Sequence, residues 1–310
     1  MRKKHYLYLT GGLGNQLFQL AAALDLAISS EDSLIIDTVI GKPRVTDNLA
    51  DIFHLKITDE IGSFSRKANI LSSKAAGFLL RLGINPVGLE KNKFVGNFFK
   101  FAGEAVLSCR FRSVVKVNAA DDVGFYKLKS GRSSVILGYF QSYKYLENTQ
   151  VRNMFNKLEP HEISHKLLAL IEKAIDQKPI FVHVRLNDYL EEKNFGIPKA
   201  DYYLSALRRL KGETRNIWVF SDDIALASLR MPSEFKNQYL FVDDSGLSPA
   251  QLLHLLRFGE DYVIANSSFS WWAATLAIKQ GSKVVAPEPW FSGMPEPRDL
   301  IPPNWLREKA

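Results

Sequence analysis

The sequence predicts an α/β protein with two Rossmann-like domains, and two observations carry this prediction. Within residues 5–37, an apolar strand, a glycine turn, an Ala- and Leu-rich helix and a second strand follow one another, which is the order of a βαβ unit. After Pro179, short apolar runs alternate with helical patterns, and four successive runs end in polar side chains. Doubly wound sheets bind ligands at the carboxyl ends of their strands, so this edge is the predicted site.

The length of 310 residues allows two compact domains. We predict an N-terminal domain over residues 1–150, a helical junction over 151–178 and a C-terminal domain over 179–310. Pro179 ends the helical pattern that precedes the second domain, because proline cannot continue a helix.

The composition is that of an ordinary soluble globular protein with a basic excess. The chain is 46% hydrophobic and 24% charged, with a formal net charge of +7, which favours anionic partners such as a nucleotide, a nucleic acid or a membrane surface. Cys109 is the only cysteine, so neither a disulfide framework nor a Cys-built metal site is predicted. No signal peptide and no apolar run of about 18 residues are evident, and a cytoplasmic location is expected.

The apolar run that begins at Ile180 ends in candidate site residues. His183 and Arg185 are two positions apart, so on a strand they point to the same face. Arginine offers a fixed fork of donors that fits a phosphate, and it stays charged. The alternative is a surface salt bridge between Arg185 and Asp188, beside a histidine with ordinary partners.

Two strand-to-helix turns are candidate anion sites. The turn 11–16 lacks the third glycine of a dinucleotide motif and the lysine of a Walker A loop, so no such cofactor is predicted. Its glycines still let a ligand approach a helix N-terminus, where Asn15 adds an amide. The turn 266–272 offers serine hydroxyls and backbone amides to a phosphate. The alternative for both turns is helix capping, by Asn15 in the first.

Asp222 follows the apolar run 217–220. Its carboxylate could accept hydrogen bonds from the N1 and N2 donors of guanine, or cap the next helix. The sequence contains no D-x-D, and no His, Cys, Asp and Glu cluster has ligand spacing, so no metal is predicted to bridge the phosphates. Arg185 is then the side chain expected to meet the charge of the leaving group.

Five stretches, in order along the chain, resemble the bacterial α-1,2-fucosyltransferases of glycosyltransferase family 11. They are GGLGNQLFQ (11–19), GYFQSYKY (138–145), HVRLNDY (183–189), FSDD (220–223) and NSSFSWWAA (266–274). The H-x-R-x-x-D pattern is shared with α-1,6- and protein O-fucosyltransferases. The commoner form of the family carries Gly or Arg where this chain has Leu186 and Asn187.

The resemblance implies a GT-B-like fold, with two Rossmann-type domains facing across a cleft. It implies an inverting, metal-independent transfer of L-fucose from GDP-fucose to the 2-hydroxyl of a terminal galactose. GDP-fucose is a substrate, so no cofactor is expected. The alternatives are a fucosyltransferase of another linkage or sugar donor, and a non-catalytic nucleotide- or glycan-binding protein.

Carried over to this sequence, the resemblance implies a role for each candidate residue. Arg185 binds the β-phosphate, and His183 and Asp188 shape its pocket. Asp222 reads guanine, and Asn15 reaches the donor from the opposite domain. The pyrophosphate is lined by Ser267, Ser268 and Phe269.

The general base is left open. Related α-1,6 enzymes carry a Glu ten residues after the motif histidine, where this chain has Lys193. Glu191, Glu192 or Asp188 could serve, or no protein base if the transition state is strongly dissociative. A solvated charged turn is the alternative for the two glutamates. We take Glu192, with Arg185 and Asp188, as the catalytic candidates.

The predicted partners are GDP-fucose and a galactose-terminated glycan, with a lipid-linked glycan as one form of the acceptor. No nucleic acid partner, acceptor-binding residue or oligomeric state is predicted. The basic charge adds the hypothesis of peripheral association with the inner face of the plasma membrane.

Overall fold

The computed structural model divides the chain into two compact units. The first is Met1–Leu158 with Pro297–Leu300, and the second is Glu159–Glu296 with Ile301–Ala310. The division after Leu158 falls inside residues 151–178, the predicted junction. The structure describes residues 2–9, 11–37, 62–65, 116–119, 124–125, 127–128, 133–187, 194–210 and 215–310.

The first unit contains a five-stranded parallel sheet with the strand order β3-β2-β1-β5-β4. Its strands and helices are β1 (Lys4–Tyr8), α1 (Leu13–Ser30), β2 (Ser33–Asp37), β3 (Gly62–Ser65), β4 (Lys116–Ala119), β5 (Ser134–Leu137) and α2 (Thr149–Asn156). A 3-10 helix, Tyr143–Leu146, precedes α2. The chain runs from β1 outward to β3, forms β4 at the opposite edge of the sheet and then returns to β5, which lies between β4 and β1. The strand order therefore reverses between β1 and β5.

Helix α1 forms the core of the first unit. Thirteen of its eighteen residues are buried, which explains why its sequence is apolar on nearly every face rather than amphipathic. The helix ends at Ser30, where Glu31 adopts a left-handed conformation (φ 53°) and its backbone N–H bonds back to the last turn. The predicted strand, helix, strand order of this βαβ unit is confirmed.

A buried polar network lies at the amino ends of β1, β2 and β5. His5 Nδ1 is 2.7 Å from Ser134 Oγ, and His5 Nε2 is 3.1 Å from Asp32 Oδ2. The backbone N–H of Lys3 donates to Asp32 Oδ1. Burial lowers the pKa of His5, against the opposing effect of Asp32. Although these are the residue types of a hydrolytic triad, they are enclosed at the edge opposite the ligand-binding one, and we interpret them as structural.

Residues 297–300 belong to the first unit, where they contact Phe125, which precedes β5, and the segment that follows β5. The backbone N–H of Tyr143 donates to the Asp299 carbonyl at 2.9 Å. The Asp299 carboxylate lies 2.9 Å from Lys144 Nζ, and the Arg298 carbonyl accepts from the N–H of Phe125. This return of the chain was not predicted.

The second unit contains a six-stranded parallel sheet with the order β11-β10-β9-β6-β7-β8. Its strands and helices are α3 (His165–Gln177), β6 (Ile180–Val184), α4 (Ala200–Leu210), β7 (Ile217–Ser221), α5 (Ile224–Arg230), β8 (Tyr239–Phe241), α6 (Pro249–Leu255), β9 (Asp261–Val263), α7 (Ser268–Thr275), β10 (Val284–Glu288) and β11 (Leu306–Lys309). Short 3-10 helices precede β8 and β9. The predicted alternation is confirmed, except that β11 was not predicted.

The core of the second unit explains its sequence pattern. Strands β6 and β7 are buried along their whole length, so their apolar runs are continuous rather than alternating. Tyr202 of α4 is buried, and its hydroxyl lies 2.6 Å from the carbonyl of Ile264 and 3.0 Å from that of Val285. These contacts tie α4 to β10 and to the residue after β9. In the parts of the chain that the structure describes, no helix combines the length and apolar character that a membrane crossing needs.

Candidate functional site

The strand order of the second sheet reverses between β6 and β9. At such a switch point the connections leave toward opposite faces of the sheet, and the carboxyl ends of the two strands border a crevice. Strand β6 ends in His183 and Val184 and leads into Arg185, while β9 leads into Asn266 and Ser267. The structure therefore places the predicted arginine and the predicted serine turn on neighbouring strand ends.

His183 is buried at the end of β6. Its ring centroid lies 6.2 Å from that of Phe269, so the structure brings these two predicted residues together. Within the described residues, His183 Nδ1 has no hydrogen-bond partner. Burial, with a smaller effect of Arg185, lowers the pKa of His183 to about 3. The imidazole is therefore neutral at physiological pH, and it offers a hydrogen bond rather than a charge.

The neutral His183 should make stability depend on pH. Its folded-state pKa of about 3 lies below the unfolded value of about 6.5, so the unfolded chain takes up the proton first. Stability is then full above about pH 6.5 and falls by up to about 1.4 kcal/mol per pH unit as the pH drops toward 3. Denaturant unfolding between pH 6.5 and 5 measures this slope.

A glutamine at position 183 cannot titrate, so it should reduce the slope. Burial also lowers the pKa of His5 and of His254, and these two groups should keep a part of the slope. His165→Gln, at an exposed histidine that begins α3, serves as the control and should leave the slope unchanged. Equal slopes for the unchanged chain and His183→Gln would contradict the assignment.

Arg185 and Asp222 lie together at the carboxyl ends of β6 and β7. Arg185 Nη1 is 3.4 Å from Asp222 Oδ2, and the Arg185 side chain is 27% exposed. The carboxylate of Asp222 also accepts the backbone N–H of Leu186 at 2.9 Å and of Asn187 at 3.1 Å. The amide of Asn187 donates in return to the Asp222 carbonyl. The predicted guanine contact of Asp222 stays a prediction, and the observed partners of its carboxylate are these groups.

Asp223, rather than Asp222, caps the helix that follows β7. Its carboxylate accepts the N–H of Leu226 at 2.8 Å, which is the usual N-cap interaction. Helix capping was the alternative role for Asp222. Asp223 fills that role instead.

The serine turn after β9 does not use the Ser267 side chain as a helix cap. Ser267 occupies the N-cap position of α7, but its hydroxyl makes no capping hydrogen bond. Ser270 stabilises the turn instead, because its hydroxyl donates to the carbonyls of Ala265 and Ser267. The helix N-terminus beside Ser267 and Ser268 carries the partial positive charge that favours an anion.

Asn266 anchors the returning end of the β6–α4 connection. Its buried Nδ2 donates to the carbonyls of Phe195 and Gly196 at 2.8 and 3.0 Å. Gly196 has a φ of +72°, and a Cβ there would lie 2.8 Å from Ser292 Oγ, so only glycine fits this close approach. This role of Asn266 was not predicted, and its position directly before the serine turn was the only signal in the sequence.

The glycine turn of the first unit places Asn15 at the switch point between β1 and β5. Gly12 is the N-cap of α1 and Asn15 lies in the first turn of the helix, so Asn15 is not the cap. Gln141, after β5, donates from Nε2 to Asn15 Oδ1 at 2.8 Å. Gln16 donates to the Gly11 carbonyl. The contact of Gln141 with Asn15 was not predicted, although Gln141 lies in one of the resembling stretches.

Three candidate residues fall in the stretch 188–193, which lies outside the described residues: Asp188, Glu191 and Glu192. Their roles stay predictions, as does the contact of Asn15 with the donor. Where the structure describes the chain, no group of three His, Cys, Asp or Glu side chains could hold a metal ion.

Comparisons with known proteins agree with the resemblance. Two proteins of Escherichia coli are similar over almost their whole length. An alpha-1,2-colitosyltransferase is 28% identical, over 96% of this chain and 97% of its own. The O-antigen biosynthesis glycosyltransferase WbnK is 27% identical, over 93% of this chain and 95% of its own.

Among solved structures, two of the fucosyltransferase NodZ are similar in fold. The NodZ alpha-1,6-fucosyltransferase co-crystallized with GDP has a TM-score of 0.52 at 13% identity, covering 89% of this chain and 93% of that one. NodZ from Bradyrhizobium has a TM-score of 0.51 at 14% identity, covering 89% and 94%. The predicted fold class, α/β and GT-B-like with two Rossmann-type units, is confirmed.

The family model described as "Glycosyl transferase family 11" matches residues 139–308. The match spans more than half of the chain, and it includes the strand ends that carry His183, Arg185 and Ser267. The chain belongs to glycosyl transferase family 11, and it is a glycosyltransferase.

Proposed function

We propose that this glycosyltransferase moves L-fucose from GDP-fucose to the 2-hydroxyl of a terminal galactose, with inversion and without a metal ion. The observation that carries the proposal is the position of Arg185, which is partly exposed at the switch point of the second sheet. The neighbouring strand end adds Ser267 and the N-terminus of α7. A fixed cation and a helix N-terminus are suited to a diphosphate.

The charge of the transition state explains how these groups would act. As the bond between fucose and GDP breaks, positive charge develops on the fucosyl ring and negative charge on the departing diphosphate. The guanidinium of Arg185 and the backbone amides at Ser267 and Ser268 would stabilise the negative charge, and this stabilisation grows toward the transition state. The neutral His183 would orient the diphosphate through a hydrogen bond. The galactose 2-hydroxyl would attack C1 of fucose from the opposite face, which gives inversion. Its proton would pass to one of the candidate bases, Asp188, Glu191 or Glu192, or to solvent.

The relatives support the nucleotide, the linkage and the acceptor separately. NodZ was crystallised with GDP, which supports a guanine nucleotide. One relative is named for an α-1,2 linkage, and another for O-antigen biosynthesis, which supports a glycan acceptor. The net charge of +7 supports peripheral binding to an anionic membrane. Sedimentation with anionic vesicles, lost at high salt, would test this last point.

The donor sugar has a second candidate, because the colitosyltransferase is similar over almost the whole chain. Colitose is L-fucose without the 3-hydroxyl group, so the two donors differ by a single oxygen atom. A site that hydrogen-bonds the 3-hydroxyl should strongly prefer fucose, while an apolar surface there would accept both.

Turnover of GDP-fucose and GDP-colitose with lactose or N-acetyllactosamine tests the proposal, with and without EDTA. The expected result is EDTA-resistant release of GDP and an α-1,2-linked product. A 2-deoxygalactoside is the matched control, and it should not be glycosylated. Transfer to another hydroxyl would overturn the linkage, and strong EDTA inhibition would overturn the metal-free mechanism. GDP binding without turnover of either donor would support a binding protein instead.

A further inference from the structure

The backbone after β6 is held to the end of β7 beyond the last paired residues of the sheet. The ladder between these strands ends at Val184 and Ser221. Past that point, the Asp222 carboxylate replaces the backbone carbonyls of the ladder as the acceptor. It accepts the N–H groups of Leu186 and Asn187. The Asn187 amide closes the arrangement by donating to the Asp222 carbonyl.

We infer that Asp222 is a positioning residue, which fixes Arg185 in the place where it meets the diphosphate of the donor. This inference rests on the proposed function, since it assumes that Arg185 binds a diphosphate. Backbone N–H groups need partners, and at a strand end they would otherwise turn to water. By binding two successive N–H groups, one carboxylate holds the residues that follow Arg185.

The Asp222 carboxylate also acts on the arginine side chain directly. Its Oδ2 lies 3.4 Å from Arg185 Nη1, which is longer than a charge-assisted hydrogen bond of about 2.7–2.9 Å. The contact therefore biases the orientation of the guanidinium. The backbone anchor and this ion pair together determine the direction in which the side chain extends.

Positioning of Arg185 is an alternative to the recognition of the guanine base by Asp222, which the sequence suggested. Each carboxylate oxygen of Asp222 already accepts a backbone N–H. The two roles predict different nucleotide preferences. A residue that reads guanine affects GDP alone, whereas a residue that positions Arg185 affects every nucleoside diphosphate equally.

Asp222→Asn is the variant to test, because the amide keeps the shape but can accept at only one of its two ends. Asp223→Asn, at the adjacent helix cap, is the matched control. We expect Asp222→Asn to weaken GDP, UDP and ADP by the same factor, about tenfold, in calorimetric titrations. Asp223→Asn should leave all three within about twofold. A loss for Asp222→Asn that is confined to GDP would overturn the inference.

A double-mutant cycle with Arg185→Ala separates positioning from a general structural effect. If Asp222 acts through the arginine, Asp222→Asn should change GDP binding less than about twofold once Arg185 is absent. Additive losses would mean that Asp222 acts independently of Arg185, and this would also overturn the inference. Comparison of the melting temperatures of Asp222→Asn and Asp223→Asn shows whether the whole fold is affected.

Hydrogen exchange of the peptide that contains residues 185–187 gives a readout that needs no ligand. Asp222→Asn should speed exchange of at least one of the Leu186 and Asn187 amides about tenfold or more, because one end of the new side chain can no longer accept, and Asp223→Asn should not. Unchanged exchange would show that Asp222 does not anchor this backbone. Failure of the proposed function would appear differently, as absence of GDP binding by the unchanged chain.

Discussion

Arg185→Ala is expected to lower kcat for fucosyl transfer by about a hundredfold or more, the size of effect for losing one preorganised donor. The guanidinium lies at the switch point of the second sheet, where it would meet the charge of the departing GDP. Arg185→Lys should recover only part of the rate, because an ammonium keeps the charge but lacks the planar fork. Steady-state rates at saturating acceptor measure both effects.

Arg208→Ala is the matched control. Arg208 lies in α4 of the same unit and pairs with Glu234 in an exposed position, where ion pairs contribute little. Its rate should stay within about twofold of the unchanged chain. A rate within about threefold for Arg185→Ala would remove Arg185 from the mechanism.

Asn266→Asp is expected to reduce the free energy of unfolding by about 3 kcal/mol or more. Asn266 is 3% exposed, and its amide nitrogen donates to the carbonyls of Phe195 and Gly196. A carboxylate has the same shape but cannot donate. It would place a buried negative charge against two carbonyl oxygens. Urea denaturation at pH 7.5 measures the loss.

The same substitution at Asn216 separates this effect from the general cost of an added charge. Asn216 is exposed just before β7, so Asn216→Asp should change stability by less than about 0.5 kcal/mol. Lowering the pH should partly restore Asn266→Asp, because a protonated carboxyl can donate one hydrogen bond. Equal stability of the two variants would mean that the anchor at Phe195 and Gly196 is unimportant.

The strands that the sequence predicted are those with a strong local signal. Ile180–Val184 and Ile217–Ser221 are continuous apolar runs because both of their faces are covered, and such runs are visible without knowledge of their neighbours. Strand β11 (Leu306–Lys309) reads LREK and is only partly buried. It pairs with β10 at the edge of the sheet, and this partner, rather than its own residues, makes it a strand.

In the candidate site, too, the residues of local motifs were predicted, whereas contacts between residues far apart in the sequence were not. The apolar run that leads into His183 and Arg185 is visible in the sequence, although by itself it left a surface salt bridge as the alternative. The use of the Asp222 carboxylate depends on β6 and β7 being neighbours in a particular register, and the sequence does not show that register. The pair of Asn15 and Gln141 joins residues 126 positions apart. Such contacts follow from tertiary structure, and motif spacing does not report them.

The short stretch Pro297–Leu300 bears on how the chain can be divided or recombined. Because it belongs to the first unit, a fragment that stops at Leu158 would lack the Asp299 carbonyl that accepts from Tyr143 and the carboxylate beside Lys144. A hybrid that borrows its first 158 residues from another family member would therefore set foreign side chains against this stretch. A hybrid designed to change specificity should therefore take residues Met1–Leu158 and Pro297–Leu300 from the same family member.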